Sequence, residues 1–270
     1  MARIIVDDLN VFYRDEGRGP TVLLGHSSTG SSGQWRALTE SMAGNHRLLA
    51  PDHIGYGRTP NTRPGAPVMA HEIAIVEALF NIAEPPVHLV GHSYGGSILA
   101  RVAARNPDRV RSLTLIEPTL FFLLTAFGRD REHAEISAVA DRVVTHAGAG
   151  DATEAARGFI AYWVGEGAFE RMDQRVQDGI VDGVDKLASE WADAFRPNGA
   201  EPERLAAITA PVQLICAART TPAARAVIDI LKDIWRDALT VEIDNAGHMS
   251  PVTHAAQVNP HISTFIQAHR

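Results

Sequence analysis

Val87-His88-Leu89-Val90-Gly91-His92-Ser93-Tyr94-Gly95-Gly96-Ser97 reads as a buried strand, a tight turn and the start of a helix. The mostly apolar residues 87–90 suit a strand covered on both faces. Gly96 to Ala104 then carries helical spacing. Strand, G-x-S-x-G and helix in that order form a nucleophile elbow. A residue on so sharp a turn is held at strained backbone angles and needs neighbours of almost no bulk. Gly91 and Gly95 supply that space, and Gly96 lets the helix pack close to the strand. Ser93 is thereby lifted off the sheet edge at a helix N-terminus, where free N–H groups and the helix dipole favour negative charge.

The elbow sits in a chain of 270 residues, 45% hydrophobic and 21% charged, which suits one α/β domain or one domain with an insertion. A net charge of −7 without basic clusters argues against nucleic acid as a partner. Cys216 is the only cysteine, so no internal disulfide forms, as expected of a reducing cytoplasm. It lies in the apolar run 211–217 and reads as a buried structural thiol. No signal peptide is expected at the N-terminus, and no run approaches the ~18 apolar residues of a membrane span.

Outward from the elbow, strands alternate with helices. Residues 3–6 and 11–14 read as an opening hairpin, and Glu16 to Pro20 as loop. Thr21 to Leu24 is a strand ending in Gly25-His26-Ser27-Ser28-Thr29-Gly30, followed by a helix from Gln34 to Ala43. Arg47 to Ala50 is the next strand, residues 61–67 a Pro/Gly-rich loop, and a helix of about fifteen residues follows with Ile73, Val76, Leu79 and Phe80 as its stripe. Beyond the elbow helix, Ser112 to Ile116 is a strand with Glu117 at its C-terminal end. This alternation predicts a parallel sheet with helices on both faces. From about 119 to 204 it gives way to helices only, with aromatic apolar positions (Phe159, Tyr162, Trp163, Phe169, Trp191, Phe195) and a capping box at Asp151–Glu154. Strands return at 212–217 and 240–243, with a helix at 222–235 between them. One helical turn is read at 253–257, and the last helix is expected at 260–269 with Asn259 as N-cap and Pro260 in its first position. Residues 1–118 and 205–270 thus read as a core domain and 119–204 as a helical cap.

A serine hydroxyl needs a base to take its proton, and the base needs an acid to orient it. In a strand–elbow–helix fold these follow in the order serine, acid, histidine. His248, in the loop between the last strand and the last helix, stands in the base's position. The loop after the strand 212–217 holds no carboxylate, so Glu117 is taken as the acid; Asp244 is a second candidate that reads more simply as a turn residue. Backbone N–H groups must hold the oxyanion: that of Tyr94, and that of Ser27 or Ser28. Asp52 with Gly55-Tyr56-Gly57 reads as a structural turn beside the site.

His26-Ser27-Ser28, Asp52-His53-Ile54-Gly55-Tyr56-Gly57, the elbow and Gly247-His248 together resemble the α/β-hydrolase superfamily in its capped, esterase-like branch, over nearly the whole chain. The resemblance implies a mostly parallel eight-stranded sheet, a helical cap after strand six, and a Ser–acid–His site without cofactor or metal. The empty acid position after strand seven departs from the family pattern. Glu117 after strand six would replace it, as in some haloalkane dehalogenases; Ser93 in place of their aspartate argues against dehalogenation and epoxide hydrolysis.

The reading is a serine esterase acting on a small-molecule ester of small to medium acyl size, with Ser93, Glu117 and His248 catalytic. His26, Phe121, Phe122, Tyr162, Trp163, Trp191 and Met249 are expected to line the pocket. C–C bond hydrolase, lactonase, acyltransferase and perhydrolase use the same triad, and a ligand-binding relative is the non-enzyme alternative; a homodimer is left open.

Overall fold

The computed structural model describes residues 2–61 and 68–270; the loop read at 61–67 lies, beyond Asn61, outside the described residues. Its centre is a sheet of strands β1 (Ala2–Val6), β2 (Leu9–Gly17), β3 (Thr21–Gly25), β4 (Arg47–Pro51), β5 (Val87–His92), β6 (Val110–Ile116), β7 (Val212–Ala217) and β8 (Leu239–Ile243). Among the described residues it is eight-stranded, in the order β1-β2-β4-β3-β5-β6-β7-β8. The β1–β2 and β2–β4 pairs are antiparallel, and every later pair is parallel. The strand–helix alternation implied the parallel part of this sheet, and the resemblance implied its eight, mostly parallel strands.

Period-two alternation in the buried strands divides the core in two. Leu23, Leu49, Leu89, Leu113, Leu115 and Leu214 face one cluster. Val22, Leu24, Leu48, Val90, Ile116 and Ile215 face the other. Helices α1 (Arg36–Met42), entered through a 3-10 turn, α2 (Val68–Ile82) and α3 (Tyr94–Arg105) connect the early strands. Between β6 and β7 come α4 (Phe122–Ala126), α5 (Asp130–Gly148), α6 (Ala152–Val164), α7 (Gln174–Asp182), α8 (Val184–Ala194) and α9 (Pro202–Ala206). Asp151 caps α6 by accepting a bond from Glu154 N–H. Helix α10 (Pro222–Ile234) joins β7 to β8, and α11 (Ser250–Thr253) and α12 (Ala255–Ala268) close the chain. Helices α2, α3 and α10 cover the first sheet face, and α1 and α12 the second.

Two local expectations are corrected. Glu16 and Gly17 belong to β2, because pairing continues through Glu16↔Leu48 and Gly17↔Arg47 and is fastened by Arg47 on Asp15, with Nε–Oδ1 at 2.9 Å and Nη2–Oδ2 at 2.7 Å. The last helix starts at Ala255, with Pro260 in its interior and not at its first position. Val258, Ile262, Phe265 and Ile266 form one buried stripe through the proline, and that burial outweighs the helix bond lost at Pro260. The turn read at 253–257 accordingly divides between α11 and α12.

Candidate active site

Ser93 sits between β5 and α3 with φ 54° and ψ −118°, in the left-handed region that side chains disfavour. Its N–H donates to Ile116 O at 2.9 Å, which holds the turn against β6. A Cβ on Gly91 would lie 2.6 Å from Gly96 Cα, so only glycine permits strand and helix to approach this closely. Gly95 approaches the Gly25 backbone in the same way, and its N–H donates to His26 O at 3.0 Å.

The β8–α11 loop brings His248 over the elbow. Its Nε2 is 3.0 Å from Ser93 Oγ, and its Nδ1 is 2.6 Å from Glu117 Oε2. Glu117 stands at the end of β6, itself at φ 43°. Its other oxygen accepts the Ala217 N–H at 2.7 Å, and Thr220 Oγ1 donates to Oε2 at 2.6 Å. Burial pushes the Glu117 carboxyl up, but the bonds from His248, Thr220 and Ala217 outweigh it and hold the group below the usual carboxylate range. Asp244 is exposed to solvent and makes none of these contacts. The Trp163 ring of α6 stacks on His248, with centroids 3.9 Å apart and planes at 28°.

Ser27 and Ser28 face the elbow from the loop after β3. The Ser27 N–H donates to Gln34 Oε1 at 3.1 Å and its hydroxyl to the same oxygen at 2.9 Å. The Gln34 amide donates to His92 Nδ1 at 3.3 Å, and His92 Nε2–H donates to His248 O at 2.9 Å. Burial drives His92 down to about 3, so its ring is neutral and can carry this chain. The Ser28 hydroxyl is bound instead by Glu190 Oε2 of α8, at 2.5 Å.

Space around Ser93 divides into an inner and an outer part. The inner cavity, about 20 Å³, is lined by Ser28, Phe121, Phe159, Trp163, Leu187 and Trp191. The outer cleft, about 880 Å³, holds His248, Met249, Tyr56 and Arg175 in its wall. Trp163 borders both. Three expected pocket residues lie elsewhere. His26 is wholly buried, with Nδ1–H donating to Ser27 O at 2.7 Å and Nε2 accepting the His53 N–H at 2.9 Å; it shapes the loop. Phe122 packs in the core under the Arg101 guanidinium. Tyr162 turns its hydroxyl to Glu135 at 2.9 Å. Asp52 is the structural turn expected, accepting the N–H groups of Ser32 and Arg58. Cys216 is buried, and burial pushes its thiol up to about 12.

Gln34, His92, Lys186 and Glu190 were not singled out by sequence reasoning. His92 carried a signal within the elbow motif itself. For Lys186 and Glu190 the trace is an i,i+4 charge pair on α8, a spacing shared with many solvent-exposed helices.

Among curated proteins, the lipase LipV of Mycobacterium tuberculosis is 35% identical over 117 residues, 43% of this chain and 44% of the lipase. The chain spans less than half the length of the curated relatives it matches first. Among solved structures, an enol-lactonase from Burkholderia xenovorans superposes with a TM-score of 0.79 at 17% identity, covering 98% of this chain and 100% of that one. A thermophilic esterase from Thermogutta terrifontis superposes at 0.77 and 19% identity, covering 100% of both chains. At these identities the two structures show the fold. The family model for the alpha/beta hydrolase fold matches residues 20–255, and the chain belongs to that family.

Proposed function

We propose that the chain is a serine hydrolase of carboxylic esters with small acyl groups. The observation that carries this is the relay Ser93 Oγ–His248 Nε2 at 3.0 Å and His248 Nδ1–Glu117 Oε2 at 2.6 Å. His248 takes the Ser93 proton as Oγ adds to the ester carbonyl, and Glu117 stabilises the imidazolium. The oxyanion is received by the N–H groups of Tyr94 and Ser28. Ser28 is preferred over Ser27 because the Ser27 N–H is already engaged by Gln34. His248 then protonates the leaving alcohol, the carbonyl re-forms as an acyl-Ser93 ester, and a water repeats the sequence to release the acid.

The two spaces suggest which half of the ester goes where. The inner cavity is bordered by Ser93, Ser28 and Tyr94 but not by His248, and suits the acyl group. The outer cleft is bordered by Ser93 and His248, and suits the alcohol, which must receive its proton from that ring. The helices between β6 and β7 act here as the cap that supplies Phe159, Trp163, Leu187 and Trp191. The test is stoichiometric labelling of Ser93 by an activated fluorophosphonate, with turnover of p-nitrophenyl acetate. Ser93→Ala should abolish labelling and cost on the order of 10⁴-fold or more in turnover. A Ser93→Ala protein as active as the wild type ends this reading.

A further inference from the structure

Helix α8 carries two charges that the hydrolytic steps above do not use. Lys186 is buried to 1% exposure and Glu190 to 4%, on a helix inserted between β6 and β7. Lys186 Nζ lies 2.6 Å from Glu190 Oε1, one turn along the same helix, and 3.3 Å from Glu72 Oε1 on α2 of the core. Glu72 is held in turn by the Ile54 N–H at 3.0 Å and by His53 Nδ1 at 3.2 Å. Charges this deep are costly unless paired and hydrogen-bonded, and replacing such a set with apolar side chains is often neutral or stabilising. Stability alone is therefore a weak account of the cluster.

Besides lying 5.1 Å from the centre of the Tyr56 ring, Lys186 reaches the elbow, and Glu190 reaches the loop facing it. Lys186 Nζ donates to the Tyr94 hydroxyl at 3.2 Å and lies 4.3 Å from the centre of its ring. Glu190 Oε2 accepts the Ser28 hydroxyl at 2.5 Å. Tyr94 and Ser28 are the two residues whose backbone N–H groups receive the oxyanion in the reading above. They come from separate elements, and one ion pair grips both side chains. Burial pushes the Glu190 carboxyl up and Lys186 opposes this, so the carboxylate depends on its ammonium partner.

We propose that the Lys186–Glu190 pair is a positioning clamp that sets the spacing of the Tyr94 and Ser28 N–H groups, so that docking of the inserted helix α8 completes the oxyanion hole. The proposal rests on the serine-hydrolase reading and deepens it: Lys186 and Glu190 touch no reacting atom and act through the two donors. Oxyanion stabilisation requires donors preset to within a few tenths of an ångström, and misplacement by about 1 Å costs about 10²-fold. The loop bearing Ser28 has the Gln34 tether at Ser27, and the Glu190 contact supplies a second hold one residue on.

The experiment compares Ser28→Ala, Ser28→Thr, Glu190→Gln and the Ser28→Ala/Glu190→Gln double variant on p-nitrophenyl acetate, beside Ser93→Ala, with an alkyl boronic acid as a mimic of the tetrahedral adduct. Ser28→Ala keeps the backbone donor and removes the grip. Its kcat should fall about 10- to 100-fold with KM within about threefold, and boronate affinity should fall by the same factor as kcat/KM. Ser28→Thr should restore most of the loss. Glu190→Gln should lose kcat in the same way, and the double variant should be no slower than the worse single one, because both remove one contact. Wild-type kcat in Ser28→Ala overturns the clamp, as do losses that multiply in the double variant or that fall on KM alone. If Glu190→Gln does not fold, the Ser28→Ala and Ser28→Thr pair decides by itself. An inactive Ser93→Ala beside a fully active Ser28→Ala removes the clamp only, whereas a fully active Ser93→Ala removes the site and the clamp together.

Discussion

Glu117 Oε2 lies 2.6 Å from His248 Nδ1, though 131 residues separate the two in the chain. The carboxylate leaves β6, not the neighbouring β7, and its other oxygen is pinned by the Ala217 N–H where β7 ends. Glutamate is one methylene longer than aspartate, which lets an acid on one strand end serve a histidine that faces the next. Glu117→Gln retains the shape and removes the charge that, in the proposed mechanism, stabilises the imidazolium. In steady-state ester hydrolysis, kcat should fall roughly 10³- to 10⁴-fold, by comparison with triad acids elsewhere. Asp244→Asn, on the same loop as His248 but exposed, should cost under about tenfold. The reverse ranking would transfer the acid's role to Asp244.

Gln34 joins the Ser27 loop to the histidine side of the site through His92 and His248 O. Gln34→Leu preserves volume and strands the Ser27 N–H and the His92 ring nitrogen. An unsatisfied polar group costs about 1–3 kcal/mol, and a chain of this size loses about 2–4 °C in Tm per kcal/mol. Calorimetry should therefore find a Tm lower by several degrees. The kcat for p-nitrophenyl acetate should fall about tenfold or more as both loops loosen. A Gln34→Leu protein with wild-type Tm and kcat would show that the chain of bonds holds nothing in place.

The parts of the site that a sequence reader reaches are those tied to backbone geometry. Ser93 is legible because its strain demands Gly91 and Gly95 at fixed offsets, and His248 and Glu117 because strand ends place them. Gln34 and Glu190 are not legible: each acts through a contact whose partner lies on a separate element, and the 162 residues between Ser28 and Glu190 give no local pattern. Trp163 could be read as apolar, but its stacking on the His248 ring depends on how α6 docks. The fold reading failed where burial outweighed local punctuation. Pro260 signals a helix start on its own, yet Val258 and Ile262 on either side of it are both buried against the sheet.

His88, on β5 and bonded through Nδ1 to Ser112 Oγ at 2.8 Å, titrates with a sign that is simple to follow. Burial, aided by Arg111, His46 and His269, lowers it from 6.5 to about 4. Between those values the unfolded chain binds a proton that the folded chain refuses, so stability falls as pH falls from about 6.5 to about 4 and this group's effect levels off below that. His92, lowered to about 3, acts in the same direction. Thermal unfolding of the wild type should show Tm decreasing across this window. His88→Asn should start lower, through the altered packing, and decline less steeply. An equal slope in both proteins would mean that His88 is not neutral when folded.

Acyl length is the most direct test of the two spaces at Ser93. The inner space is much the smaller of the two, about 20 Å³ against about 880 Å³, so a short acyl chain fits and a longer one must displace an aromatic wall. Overpacking of this kind costs about 1–3 kcal/mol, or roughly 5- to 150-fold. kcat/KM on p-nitrophenyl esters should thus be highest for acetate or propionate and fall steeply by hexanoate, whereas varying the alcohol should matter little, because the outer cleft offers about 880 Å³. Trp191 closes the inner cavity, and its ring lies 6.2 Å from that of Phe121 in a stacked arrangement. Trp191→Leu should shift the optimum toward butyrate or longer esters and lower acetate turnover only modestly, since the Trp191 ring packs on Phe121, Phe159 and Phe195 and takes no part in the proposed proton relay. The Phe121 ring should remain in place, because Trp163 and Phe195 also pack against it. If octanoate is preferred over acetate by the wild type, the acyl chain lies in the outer cleft. The same conclusion follows if Trp191→Leu leaves the length profile unchanged, and the acyl and alcohol sides must then be exchanged.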